Sequence, residues 1–126
     1  MASFLYMKSK NTEQKPLRIK HDYYRGHEVI YLDGRLDADT YRSLQVVLER
    51  CLRRKKARII VDFSFLEFIS SIGIGILLKY ALPARQNGGS LILTGLSAEQ
   101  RYIFEKLGLS QTIHLGSSIR AEVRAS

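Results

Sequence analysis

The 126-residue sequence has one cysteine, two prolines, no tryptophan and no long apolar run, and each shortage excludes something. Cys51 cannot form an internal disulfide, and no second thiol stands near it in sequence to build a cysteine-based metal site. A reducing compartment is the expected setting. No stretch approaches the roughly 18 apolar residues a transmembrane helix requires, and the apolar residues between Met1 and Met7 are too few for a secretory h-region. A cytoplasmic protein without membrane insertion is expected. The remaining composition, 45% hydrophobic and 25% charged, is that of a soluble globular domain rather than a disordered or fibrous chain. At this length one domain can bury a core without disulfides or a structural metal.

Acidic residues are also scarce: twelve Asp and Glu face twenty Lys and Arg, for a formal charge of +8, and most of the basic residues lie before position 59. The densest run is Arg53, Arg54, Lys55 and Lys56 with Arg58. Such a run suits phosphate backbones or an acidic protein surface, and it also suits a solvated helix end whose cations meet the negative pole of the helix dipole. No nucleic-acid reading motif accompanies it.

Catalytic and cofactor patterns are missing as well. No Gly-x-Ser-x-Gly surrounds Ser70 or Ser71, so an esterase-like nucleophile is not indicated. His21, His27 and His114 lack metal-ligand spacing and read as surface or half-buried side chains. Gly73-Ile74-Gly75 has Leu78 where a dinucleotide fingerprint needs its third glycine. No enzyme activity, cofactor or metal is expected.

Along the chain, residues 1–15 are polar after Met7 and predict a mobile tail, leaving 16–126 as the domain. Residues 17–24 and 27–33 predict a hairpin around Arg25-Gly26. Gly34 to Asp37 closes it, with Asp37 or Asp39 placed to cap a helix starting near Thr40. Leu44, Val47, Leu48, Cys51 and Leu52 recur at helical spacing to about Arg54. Ala57 to Phe63 reads as a buried strand around Ile59-Ile60-Val61.

A second helix is predicted from Ile72 to about Arg85, with Ile72, Ile76, Leu77 and Tyr80 inward and Pro83 kinking it or ending its regular part early. Leu91-Ile92-Leu93 is a third buried strand. Ser97 and Gln100 have capping-box spacing for a helix with Ile103, Phe104 and Leu107 inward, stopped by Gly108. Thr112 to Leu115 adds a short strand, and the end of the chain predicts a terminal helical turn or more. The order implies an α/β fold: a mixed β-sheet opened by an N-terminal hairpin, with helices mainly on one face.

Between the buried strand and the second helix, Asp62 to Gly75 reads as a loop leading into a helix start. A helix start exposes unpaired N–H groups and partial positive charge, so a hydroxyl there can cap the helix or, once phosphorylated, rest its charge on the dipole. Ser70 and Ser71 are those hydroxyls. The segment Ser70-Ser71-Ile72-Gly73-Ile74-Gly75 resembles the signature of the STAS domain of bacterial anti-sigma factor antagonists, roughly Asp-Ser-Ser-Gly-Leu-Gly. Leu32-Asp33-Gly34-Arg35-Leu36-Asp37 and Phe104 to Leu109 resemble two further family segments, so the likeness spans about residues 17–116. Ser70 stands at the usual Asp, and Ile72 at the second serine.

The resemblance implies a binding module rather than an enzyme: an anti-sigma factor antagonist whose phosphoacceptor is Ser71. Its expected partners are an anti-sigma factor that is also a serine kinase, and a serine phosphatase. Asp37, Ser70, Ser71, Ile72, Gly73 and Gly75 form the expected partner surface. The alternatives are a STAS interaction module that is not phosphorylated and a basic nucleic-acid binder using Arg53, Arg54, Lys55, Lys56 and Arg58.

Overall fold

The structure, a computed structural model, describes residues 16–125; the predicted tail over 1–15 lies outside them. Strands β1 (Arg18–Tyr24) and β2 (His27–Leu36) are antiparallel, joined by Arg25 and Gly26 with φ of 50° and 86°. Two successive positive φ values make the two-residue turn whose twist matches the flanking strands. Helix α1 (Tyr41–Cys51) leads to β3 (Arg58–Ile69), α2 (Ser71–Gln86), β4 (Ser90–Thr94) and α3 (Ala98–Lys106). A short 3-10 turn over Leu109–Gln111, β5 (His114–Leu115) and α4 (Ile119–Ala125) complete the described chain. The sheet order is β1-β2-β3-β4-β5, with every pair after the hairpin parallel. This is the mixed sheet expected from the sequence.

One face of the sheet carries the main core. Ile30, Leu32 and Leu36 of β2, Ile59, Val61 and Phe63 of β3, and Leu91 and Leu93 of β4 meet Leu44, Leu48 and Cys51 of α1, the inner stripe of α2, and Phe104 of α3. Each fully buried aliphatic side chain here contributes about 1.5–3 kcal/mol relative to exposure. The Phe63 and Phe104 rings meet edge to face, 6.2 Å between centroids. Tyr80 of α2 ties the two long helices together, donating to Glu49 Oε2 at 2.6 Å and accepting from Gln45 Nε2 at 3.0 Å. The shorter α4 lies by the other face, where Val123 and Arg120 line a hollow with Tyr24.

Several local expectations are corrected. β3 does not stop at Phe63; it runs on to Ile69 because β2, itself extended past Asp33 to Leu36, keeps pairing with it. The presumed loop from Asp62 is therefore mostly strand. α1 ends at Cys51, and Leu52 and Val47 are only partly buried. α2 continues past Pro83 to Gln86, although the proline gives up the bond an N–H at that position would make to the Lys79 carbonyl. Ile103 and Leu107 are exposed, leaving Phe104 as the buried side chain of α3. The Ser97–Gln100 capping box forms as expected, and Gly108 with φ 74° ends the helix.

Candidate functional site

The C-terminal ends of β2 and β3 lie side by side, with Arg35 opposite Phe68 and Leu36 opposite Ile69. The Ser70 N–H donates to the Leu36 carbonyl at 2.9 Å, which fixes where α2 begins. Ser70, with extended backbone, is the N-cap residue: its hydroxyl accepts from the Gly73 N–H at 3.5 Å. Ser71 is thus the first residue of the helix and is exposed. Among the described residues, no hydrogen bond engages its hydroxyl.

Gly73 and Gly75, two residues apart, have opposite surroundings. A β-carbon on Gly73 would sit 2.7 Å from Leu36 Cγ and 2.9 Å from Ile69 Cγ1, so only glycine lets the first turn of α2 settle onto the two strand ends. Gly73 is buried and lies beneath the expected partner surface rather than on it. Gly75 is exposed with no atom within 4 Å of such a carbon, so packing does not require glycine there. Ile72, expected to face inward, is instead 43% exposed, because the turn's inward position belongs to Gly73. Ser71, Ile72 and Gly75 form one open stripe.

Asp37 follows Leu36, whose carbonyl holds the Ser70 N–H, but it does not cap α1 as expected. Its Oδ1 accepts from the Asp39 N–H at 3.0 Å and lies 3.2 Å from the Thr40 hydroxyl, and its Oδ2 is 3.7 Å from Arg35 Nε. Thr40 is the N-cap residue, without a side-chain capping bond, because its hydroxyl is spent on the Arg35 carbonyl at 2.8 Å. Asp39 makes no cap either.

Sequence reasoning missed two residues at the strand ends, Arg35 and Phe68, and a further exposed aromatic, Phe65, that lines a hollow with Tyr31 and Asp33. The Arg35 guanidinium lies 4.2 Å from the Phe68 ring centroid, a stacked cation. Phe65 and Phe68 are 67% and 40% exposed on the strand once taken for a loop. Treating Phe65 to Ile69 as strand would have exposed these aromatics to notice.

The basic run sits at the other end of β3. Arg53 to Lys56 follow α1, and Arg58 opens the strand. Arg54 is engaged there, with Nε 3.2 Å from Glu28 Oε2 and its guanidinium 4.7 Å from the Tyr23 ring. Part of the run is therefore structural.

Fold and site together define a small α/β domain that presents a serine-bearing helix start at the carboxyl end of a mixed sheet. The chain belongs to the STAS domain family, whose model matches residues 19–122. It is 26% identical over 109 residues to BtrV of Bordetella bronchiseptica, a protein named as an anti-sigma factor antagonist, covering 86% of this chain and 94% of that one. Its fold resembles the crystal structure of an anti-sigma factor antagonist from Mycobacterium paratuberculosis, with a TM-score of 0.78 at 19% identity, over 86% of this chain and 92% of that one. SpoIIAA, an anti-sigma factor antagonist solved in an unphosphorylated form, gives a TM-score of 0.69 at 24% identity over 86% of this chain and 95% of its own. The phosphorylated form of SpoIIAA from Bacillus gives 0.66 at 23% identity, over 87% and 99%. Among the described residues no helix is long and apolar enough to cross a membrane.

Proposed function

We infer that this protein is an anti-sigma factor antagonist, a binding module that docks the start of α2 onto an anti-sigma factor and is switched by phosphorylation of Ser71. The observation that carries this reading is the exposed, unengaged Ser71 hydroxyl on the first turn of a helix, flanked by the open Ile72 and Gly75. Gly75 leaves room for a partner to approach the helix backbone, and Ile72 and Phe68 supply apolar contact area. Ser70 supports the surface by capping the helix and Gly73 by seating it, and Asp37 follows the strand end that holds the Ser70 N–H. Relatives named as anti-sigma factor antagonists and a structural neighbour solved with and without phosphate support the reading.

In the bare state the surface binds the anti-sigma factor, which releases its sigma factor. The same partner, acting as a serine kinase, transfers the γ-phosphoryl group of a nucleoside triphosphate to Ser71 Oγ; the bond to the β-phosphate breaks, the nucleoside diphosphate leaves and the hydroxyl proton is released. The phosphate adds about −1.5 to −2 charges where a hydroxyl had fitted, and its oxygens find the unpaired N–H groups of the helix start. Docking is lost, and a serine phosphatase restores it.

The test compares capture of an anti-sigma factor from the native host by Ser71→Ala and Ser71→Asp proteins. Retention by alanine, with at least about tenfold weaker binding by aspartate, is expected for a charge placed in a fitted interface. Equal capture by the two variants sinks the switch.

A further inference from the structure

Away from the α2 start, three side chains from three elements converge on one point. His21 of β1 and Glu28 of β2 share the helix-covered face, and the carboxyl end of α1 lays Cys51 over them. His21 Nε2 lies 2.7 Å from Glu28 Oε1, Cys51 Sγ lies 3.6 Å from His21 Nε2, and Cys51 Sγ lies 3.9 Å from Glu28 Oε1. Glu28 and Cys51 are 5% and 2% exposed, while the His21 side chain keeps 26% of its surface open.

We propose that His21, Glu28 and Cys51 form a binding site for a divalent cation of borderline softness, with Zn2+ as its best match and solvent at the fourth position. Imidazole nitrogen, carboxylate oxygen and thiolate sulfur are the three donor types zinc takes in proteins. Tetrahedral bonds of about 2.0–2.3 Å set ligand-to-ligand distances of roughly 3.3 Å between N and O and about 3.5 Å to sulfur. The His21–sulfur distance is already near that value, the Glu28–sulfur distance must close by about 0.4 Å, and the His21–Glu28 contact must open by about 0.6 Å. The ligands come from a hairpin and a packed helix end, so the geometry is held by the fold.

Around the ligands, Arg54 Nε holds Glu28 Oε2 at 3.2 Å and leaves Oε1 for the ion, the outer support that orients a ligating carboxylate. Arg54 is 62% exposed, so solvent screens its charge from the cation. The ion enters past His21. On binding, the thiol S–H bond breaks, its proton goes to solvent and the sulfur bonds the metal, while the His21 ring gives up the Nε2 proton it shares with Glu28 and keeps one on Nδ1, so that a bare Nε2 meets the ion; thiolate and carboxylate together neutralise the two positive charges. A long thiol-to-carboxylate hydrogen bond is thereby replaced by coordination.

The experiment uses the full chain stripped with EDTA. Zn2+ is titrated against a chromophoric chelator, and Co2+ is added in a parallel sample to report its ligands by absorption. The expected result is one equivalent of Zn2+ per chain, with near-ultraviolet thiolate-to-Co2+ charge transfer. Affinity should fall about tenfold or more in His21→Gln, and stay unchanged in His114→Gln. The Co2+ spectrum of the unaltered protein tests the site without requiring any variant to fold. Absence of the charge-transfer band, or equal Zn2+ uptake by the unaltered protein and the His21→Gln, Cys51→Ala double variant, overturns the proposal.

Discussion

The two ends of β3 carry opposite kinds of chemistry. At the Arg58 end, polar groups face one another: Glu28 is buried against His21, Arg54 and Cys51, and the helix end is bound to the hairpin beneath it. At the Ile69 end, polar and apolar groups face outward: the Ser71 hydroxyl is unengaged, Ile72 and Phe68 are exposed, and Gly75 leaves empty space above the helix. Changes at the closed end should therefore be felt as stability. Changes at the open end should be felt as binding, with the fold hardly affected.

Glu28→Ala against Ile72→Ala is the sharpest way to break that contrast. Removing the carboxylate takes a charge-assisted partner from His21 and Arg54 and should cost about 1.5–3 kcal/mol. Ile72→Ala should stay within about 0.5 kcal/mol, as surface substitutions usually do, and still weaken capture of the anti-sigma partner. Urea unfolding gives the first quantity and partner capture the second. A stability loss for Ile72→Ala as large as that for Glu28→Ala would end the distinction.

Within the open end, the two glycines repeat the contrast on a smaller scale. Gly73→Ala forces a β-carbon against Leu36 and Ile69 and should cost about 1–3 kcal/mol by overpacking. Gly75→Ala meets nothing and should gain about 0.5–1 kcal/mol, because alanine loses less backbone entropy in a helix. The same Gly75→Ala change should reduce capture, since its methyl group fills the approach to the helix. A protein that gains stability while losing its partner separates function from fold at one position. Unaltered capture would move the contact surface away from Gly75.

What was legible in the sequence was local. The Arg25-Gly26 turn and the Ser97–Gln100 capping box are written in adjacent residues, and both appear in the structure. The family segments led to Ser71 at a helix start in the same way. The end of β3 was not legible, because Ser64 and Glu67 interrupt its apolar pattern and its strand form depends on pairing with a distant β2. Helical spacing put Ile103, Phe104 and Leu107 inward, but only Phe104 is buried. The His21, Glu28 and Cys51 cluster was hidden for a different reason. Its members stand 7, 23 and 30 residues apart, and only the hairpin register and the placement of α1 bring them together.

The closed end has one further signature, absent at neutral pH and growing in alkali. Burial pushes the Cys51 thiol from its ordinary 9.0 up to about 12, the Glu28 charge adds to the rise, and Arg50 and Arg54 partly oppose it. His21 is the remaining titratable group against the sulfur. Between pH 9 and about 12 the unfolded chain gives up a thiol proton that the native protein keeps. The stabilisation is thus complete below pH 9 and disappears as the pH rises to about 12. Tyr31 and Tyr80 are also raised, chiefly by burial, so the whole domain should lose stability in alkali. Urea titrations with EDTA present, at several pH values across that window, should show a steeper decline for the unaltered protein than for Cys51→Ala, by up to about one proton released on unfolding. Ser71→Ala, at the open end, should leave the slope unchanged. Parallel slopes for the unaltered protein and Cys51→Ala would mean the thiol is solvated, and the contrast between the two ends would lose its buried member.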